Sequence, residues 1–283
     1  MQNFWKMHGL GNDFVILDCR PDGVEPTTEI VVKIANRQRG VGCDLLVTLL
    51  SPTLSGADLA MRLYNADGSE TEACGNATRC IAQLYLDASG KDDARFQTKA
   101  GLLSVWRAGK AEDGQPVYSV DIGKPEFAWD KIPLAHTMDT LRLDLTIAEL
   151  SHPCAVNVGN PHAVFFVADA LAVDLAHVGP LIEHHPLFPQ RINAELCQVL
   201  ARDKLRMRVW ERGVGITQAC GSGASATLVA AVRRGLADRK AEVVLDGGSL
   251  WIEWRADDHV IMTGPASAVY YGTFDKQFLA ELA

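Results

Sequence analysis

The sequence predicts an α+β fold made of two similar halves, each a curved, mainly antiparallel sheet or barrel wrapped around one central helix. Three observations lead to this prediction: the length of 283 residues, a tripeptide that occurs twice, and many short apolar runs separated by turn residues. A chain of this length is near the size at which a single core stops growing, so two domains are expected. We expect the active site in the cleft between the halves.

The repeated tripeptide is Ala-Cys-Gly, at residues 73–75 and again 146 residues later at 219–221. A Gly-Asn pair also recurs, at Gly11-Asn12 and Gly159-Asn160. We interpret these repeats as an internal duplication. The first half is predicted to span 1–122 and carry Cys74, with the segment 268–283 returning to it, and the second half to span 123–267 and carry Cys220.

Short apolar runs rich in β-branched residues predict the strands. Because these runs are numerous and brief, largely antiparallel sheets are expected. The candidate strands are 14–17, 45–49, 61–64, 102–105 and 117–120 in the first half, and 163–167, 198–200, 205–209, 243–245, 250–254 and 260–262 in the second.

Two predicted helices, 76–89 and 222–235, begin just after the two Ala-Cys-Gly copies. The second is apolar almost all round, which is typical of a helix buried on every side. Each cysteine is therefore expected at the N-terminus of a central helix. Further helices are predicted at 28–35 and near 171–177, and the proline-containing stretch 123–133 is the expected crossover between halves.

Composition excludes several functional classes. The formal net charge of −8 and the pI near 5.5 argue against a nucleic-acid partner, because phosphate contacts need clustered Lys and Arg. No run reaches 18 apolar residues, so no membrane span is expected. Seven cysteines without an export signal predict reduced thiols and a cytoplasmic location.

The paired cysteines suggest acid–base chemistry on an amino acid. A helix N-terminus favours an anion, so it should help a thiol near pKa ~8.5 to ionise, and it can also bind a carboxylate. One thiolate would remove the α-proton from one face while the other thiol protonates the opposite face. No lysine stands in a pyridoxal-phosphate setting, so no cofactor is expected. The N–H groups and side chains expected to hold the substrate α-carboxylate follow the two cysteines: Gly75, Asn76, Gly221 and Ser222.

The chain resembles the diaminopimelate epimerase family, which interconverts L,L- and meso-2,6-diaminopimelate without pyridoxal phosphate on the way to lysine and peptidoglycan. The matching blocks cover nearly the whole chain: residues 6–14, 64–69, 73–76, 159–162, 191–193 and 211–223. The resemblance implies that Cys74 and Cys220 are the acid–base pair and that His162 and Glu211 tune the pKa of the thiols. It implies no metal, a small amino-acid substrate and a homodimer. The residues it implies for substrate binding, besides those after the cysteines, are Asn12, Asn65, Asn160, Asn193, Glu211 and Arg212.

Two departures from the family pattern affect possible substrate contacts. Leu45 stands where many members have Gln, and Ile216 stands where many have Glu. The leading alternative is a two-cysteine racemase or epimerase of another amino acid, of the proline, hydroxyproline or histidine type. A redox or zinc pair is a second alternative, but neither the Cys-x-x-Cys spacing nor the further zinc ligands accompany Cys74 and Cys220.

Overall fold

The structure is a computed structural model that describes residues 3–20, 24–71, 74–111, 114–275 and 277–278. The chain divides into two compact units, Met1–Val120 with Gly264–Ala283, and Asp121–Thr263. Of the predicted returning segment, residues 276 and 279–283 lie outside the described residues.

Both units contain the same order of elements. The first has β1 (Asn3–Gly9), β2 (Asn12–Asp18), α1 (Thr28–Ala35), β3 (Leu45–Leu50), β4 (Leu59–Asn65), β5 (Glu70–Thr71), α2 (Gly75–Ser89), β6 (Asp93–Thr98), β7 (Gly101–Lys110) and β8 (Pro116–Asp121). After a small hairpin, β9 (Thr146–Ile147) and β10 (Leu150–Ser151), the second has β11 (Cys154–Asn157), β12 (Pro161–Phe166), α3 (Leu175–Glu183), β13 (Asn193–Ala201), β14 (Lys204–Glu211), β15 (Gly215–Ile216), α4 (Gly221–Arg233), β16 (Lys240–Leu245), β17 (Gly248–Trp254) and β18 (Val260–Pro265). The last strand, β19 (Ser267–Thr273), pairs with β1.

Strand pairing also repeats between the units. In the first unit β1–β2, β3–β4 and β6–β7 are antiparallel, while β2–β3 and β4–β6 are parallel. In the second unit β11–β12, β13–β14 and β16–β17 are antiparallel, while β12–β13 and β14–β16 are parallel. The predicted duplicated α+β fold with mainly antiparallel pairing is therefore confirmed.

Each unit surrounds its cysteine-bearing helix with strands. α4 contacts β11 to β14, β16 and β17, and α2 contacts β1, β2, β6 and β7. The sequence of α4, GSGASATLVAAVR, explains how it is enclosed: small side chains let strands approach closely, and most of its residues are buried. Residues Leu228 and Val229 fill the space between helix and sheet and are completely buried.

The two Gly-Asn pairs form equivalent hairpin turns. In the first, Leu10 and Gly11 both have positive φ, at 56° and 89°, between β1 and β2. In the second, Gly159 has φ 103° and stands between β11 and β12. Because such backbone angles favour glycine, the Gly before each Asn allows the tight turn and so determines the position of the Asn.

Three of the four predicted helices lie within two residues of their expected bounds, and the fourth was misplaced. The helix predicted near 171–177 begins only at Leu175 and continues to Glu183. Asp174 is the reason, because its side chain accepts a hydrogen bond from the backbone N–H of His177 and caps the helix there. Pro180 lies inside the helix. Because proline usually interrupts a helix, the sequence did not predict that this helix continues to Glu183.

None of the helices in the described part of the chain combines the length and apolar character that crossing a membrane requires.

Candidate active site

Cys74 and Cys220 occupy equivalent places, as the N-cap residues of α2 and α4. Both have an extended backbone, with φ −145° and ψ 110° for Cys74 and φ −125° and ψ 111° for Cys220. Each side chain therefore stands beside the unpaired N–H groups of the first helical turn. Ala73, the first residue of the first Ala-Cys-Gly copy, lies outside the described residues.

In the first unit, Cys74 belongs to a network of amides. Its Sγ lies 3.7 Å from Oδ1 of Asn12, to which the thiol can donate. The same oxygen accepts a 3.3 Å hydrogen bond from Nδ2 of Asn76, while Nδ2 of Asn12 donates to Asp44 over 2.8 Å. Arg37 holds Asp44 in turn, with 2.7 Å between Nη2 and Oδ1. These contacts fix the orientation of the Asn12 amide beside the thiol.

Sequence reasoning missed Arg79, a fully buried cation one turn further along α2. Its Nη2 donates to Oδ1 of Asn76 over 3.0 Å and its Nε donates to the carbonyl of Pro265 over 3.2 Å. Burial lowers the pKa of Arg79 to about 10, while Cys80 and Cys74 act in the opposite direction. In the sequence, Arg79 could have been noticed as an arginine on the apolar side of the helix that follows the candidate base Cys74.

Asn65 lies at the end of β4, where Nδ2 donates to Oγ of Ser69 over 2.9 Å. On the neighbouring strand β3, Leu45 is the residue directly opposite Asn65. The departure from the family pattern at Leu45 thus puts an aliphatic side chain next to a predicted substrate ligand. Ile216, the other departure, is partly exposed on β15.

In the second unit, Cys220 is almost completely buried, with 4% of its surface exposed. Its Sγ accepts from the backbone N–H of Gly223 over 3.4 Å and lies 3.5 Å from Oγ of Ser222. Glu211, which accepts a hydrogen bond from Thr217, contributes its charge to the same surroundings.

At Cys220 the helix N-terminus acts in the expected direction, because the hydrogen bond from the backbone N–H of Gly223 lowers the pKa of the thiol, but burial outweighs it. Burial raises the pKa of this thiol well above its ordinary value, the negative charge of Glu211 adds to the effect, and Glu195 adds to it when ionised. The hydrogen bonds from Ser222 and Gly223 act in the opposite direction but do not compensate. These surroundings favour the thiol form of Cys220, which is the form that can donate a proton.

His162, predicted to tune a thiol, is completely buried and is bonded at both ring nitrogens. Nδ1 lies 2.6 Å from Oε1 of Glu195, and Nε2 lies 2.8 Å from Oδ1 of Asn160. The structure thus brings the predicted residues His162 and Asn160 into direct contact. Glu195 was not predicted; a charged residue between apolar neighbours in β13 was the signal that could have found it.

Asn193 and Arg212 are also brought together, through the backbone. Nδ2 of Asn193 donates to the carbonyl of Pro161 over 2.8 Å, and its Oδ1 accepts from the backbone N–H of Arg212 over 2.9 Å. The exposed guanidinium of Arg212 donates to the carbonyl of Gln190 over 3.1 Å. Asn193 therefore positions the chain that presents Arg212.

Over the residues that the structure describes, no group of three or more His, Cys, Asp or Glu side chains could hold a metal ion.

Comparison with known proteins gives consistent results. The family model described as diaminopimelate epimerase matches residues 4–128 and 154–269, and these ranges include both cysteines. The diaminopimelate epimerase of Rhodospirillum centenum is 54% identical over 279 residues, covering 99% of this chain and 94% of that protein. That of Erythrobacter litoralis is 52% identical and covers 96% of this chain and 97% of that protein. In fold, the chain resembles a hydroxyproline epimerase from Agrobacterium vitis, with a TM-score of 0.67, 14% identity and coverage of 96% and 91%.

Replacing Glu211 by Gln is expected to lower the pKa of Cys220, because it removes a negative charge that disfavours the thiolate. The pH midpoint for alkylation of Cys220 by iodoacetamide, followed by peptide mass spectrometry, should fall by about one pH unit. The matched control is Glu253→Gln, which removes an exposed carboxylate paired with Lys240 and should leave the midpoint in place. An unchanged or higher midpoint in Glu211→Gln would contradict this electrostatic account.

Proposed function

The chain belongs to the diaminopimelate epimerase family, and from this we infer that it is an isomerase that converts L,L-2,6-diaminopimelate to meso-diaminopimelate. The observation that carries the inference is about 50% identity to diaminopimelate epimerases over almost the whole chain. The reaction serves lysine and peptidoglycan biosynthesis. It inverts one α-carbon, which requires removal of a proton from one face and delivery of a proton to the other.

We propose that Cys74 and Cys220 perform these two proton transfers. Burial and the nearby charge of Glu211 favour the thiol form of Cys220, so Cys220 is the proton donor in the first turnover of the free enzyme. Cys74 is then the base. It is the more exposed of the two and lies near the buried guanidinium of Arg79. In the reverse direction the two thiols exchange roles.

The two helix N-termini are the proposed site for the reacting carboxylate. Backbone N–H groups at Gly75 and Gly221, together with the side chains of Asn76 and Ser222, provide donors next to each thiol. Negative charge that develops at the carboxylate when the α-proton leaves would be stabilised by these donors and by the helix dipoles. Under this proposal the reaction needs no cofactor.

The distal amino acid group of diaminopimelate needs partners for both an ammonium and a carboxylate. We propose that the amides of Asn12, Asn65 and Asn160, with Glu211 and Arg212, provide them. The amide of Asn193 is engaged with backbone groups, so its proposed contribution to substrate binding includes holding Arg212 in place. We further propose that His162 influences the thiols through the groups it bonds.

Epimerisation of proline or hydroxyproline is not favoured. The sequence identity to the hydroxyproline epimerase is 14%, so that comparison concerns the fold alone. The sequence identity to the diaminopimelate epimerase of Rhodospirillum centenum is 54%. A ring of amides with one acid and one guanidinium also suits a polar distal group better than an apolar ring.

We also propose a cytoplasmic homodimer. None of the seven cysteines, all of which lie in the described part of the chain, forms a disulfide, as expected for thiols kept reduced. Three consecutive residues of β19, Val269, Tyr270 and Tyr271, have exposed side chains with large apolar surfaces, which subunit association can cover. Sedimentation equilibrium should give twice the chain mass of 30.7 kDa, and a mass equal to one chain would contradict the dimer.

Replacing either Cys74 or Cys220 by Ala should lower turnover of L,L-diaminopimelate at least about 10³-fold, because each change removes one of the two proton carriers. The measurement is the rate of meso product formation under reducing conditions, with L-proline and trans-4-hydroxy-L-proline as comparison substrates. The matched control is Cys197→Ala, at a buried cysteine of β13, which should keep turnover. Turnover of proline in place of diaminopimelate, or full activity of either variant, would refute the proposal.

A further inference from the structure

Glu195 is a buried acidic group to which the proposed reaction assigns no role. It is 0% exposed on β13, and its Oε1 lies 2.6 Å from Nδ1 of His162. Its other oxygen, Oε2, is buried and has no hydrogen-bond partner among the described residues. An ionised carboxylate would leave a charged oxygen unsatisfied there, which is far more costly than leaving the carbonyl oxygen of a neutral acid.

The surroundings of Glu195 also disfavour its negative charge. Burial raises its pKa, and the charge of Glu211 adds to this, while His162 acts in the opposite direction. Cys220 is a further titratable neighbour, and a charged Glu195 would raise the pKa of that thiol further. A neutral Glu195 lets Cys220 reach the thiolate form that the reverse direction requires.

Gly223 shows how closely Glu195 approaches the reacting group. A Cβ placed on Gly223 would lie 3.0 Å from Oε1 of Glu195 and 3.3 Å from Sγ of Cys220. The acid of Glu195 and the thiol of Cys220 therefore both lie next to Gly223, in the first turn of α4. The proton on Glu195 therefore matters directly for the electrostatics at Cys220.

Counting hydrogens leaves two arrangements that satisfy both ring nitrogens of His162: a neutral Glu195 beside a neutral ring, or an ionised Glu195 beside a doubly protonated ring. The second would leave a charged, buried Oε2 of Glu195 without a hydrogen-bond partner among the described residues, so the first is favoured. If Glu195 donates its proton to Nδ1, a neutral His162 ring carries its hydrogen on Nε2, and Nε2–H donates to Oδ1 of Asn160 over 2.8 Å. If Glu195 were ionised and accepted from Nδ1–H, Nε2 of a neutral ring would face Oδ1 of Asn160 as acceptor against acceptor. The Asn160 amide would then have to turn over.

We propose that Glu195 is a positioning residue: it keeps a proton, donates it in a hydrogen bond to Nδ1 of His162, and thereby fixes Asn160 with Oδ1 toward the ring and Nδ2 free to donate to substrate. This role rests on the proposed function, because a donor amide at residue 160 serves the distal carboxylate of diaminopimelate. The proton stays in the pair throughout the reaction, and no bond other than hydrogen bonds forms or breaks there.

The first test reads the tautomer without substrate, so it does not depend on the proposed function. The full chain is labelled with ¹⁵N-histidine, and the signals of His162 are assigned by their loss in His162→Gln. Between about pH 6 and pH 8 the ring should show a protonated Nε2 and an unprotonated Nδ1. A doubly protonated ring, or a proton on Nδ1 alone, would overturn the proposal.

The second test separates positioning from a merely structural role. In Glu195→Gln the amide N–H can donate to Nδ1 as the acid does, so the tautomer should persist and KM for L,L-diaminopimelate should stay within about threefold. In Glu195→Ala nothing orients the ring, and KM should rise about tenfold or more while kcat changes less. Glu253→Gln is the control for loss of a carboxylate elsewhere in the same unit.

Loss of the Nε2–H tautomer in Glu195→Gln, or an unchanged KM in a folded Glu195→Ala, would overturn the proposal. Should Glu195→Ala not fold, the tautomer and KM of Glu195→Gln still decide it. If the unmodified enzyme does not turn over L,L-diaminopimelate, the proposed function fails, while the tautomer measurement remains valid for Glu195.

Discussion

Everything proposed for this chain depends on a cysteine that caps a helix buried inside its own sheet. The helix gives the thiol unpaired N–H groups as neighbours, and the sheet removes water from most of its surroundings. For Cys220 the second effect is the larger one, because burial and the charge of Glu211 raise its pKa despite the helix. The internal duplication supplies two such caps, and the two thiols differ in their surroundings: Cys74 lies beside the amide of Asn12, and Cys220 lies near the charge of Glu211.

A second shared principle is that each unit uses a buried or paired carboxyl group to orient the Asn at its hairpin turn. In the first unit Asp44, held by Arg37, fixes the amide of Asn12. In the second unit the contacts of Asn160 run through His162 to Glu195. An amide has a donor end and an acceptor end, so its orientation decides whether it can bind a carboxylate or an ammonium. Both units thus orient the Asn of the hairpin turn, but they do so with different groups: Asp44 in the first unit and His162 with Glu195 in the second.

Much of the fold could be predicted from the sequence because the repeated motif and the apolar periodicity both report on local structure. The helices after Cys74 and Cys220 are predicted to within two residues, because apolar residues recur at helical spacing in the first and surround the second almost completely. Contacts between distant residues could not be predicted in this way. A charged residue among apolar neighbours marks Glu195 and Arg79 in the sequence, but their partners His162 and Asn76 are known only from the fold. The pKa of Cys220 reflects burial, which no local motif reports.

The central claim is that two separate thiols act on the two faces of one α-carbon. The most direct measurement is turnover of L,L-diaminopimelate in deuterated water, with deuterium at the α-carbon followed in product and remaining substrate at early times. Two bases predict deuterium in the meso product from the first turnovers while recovered L,L substrate stays unlabelled. Equal early labelling of substrate and product would mean that one group carries the proton on both faces, and that result would contradict the account.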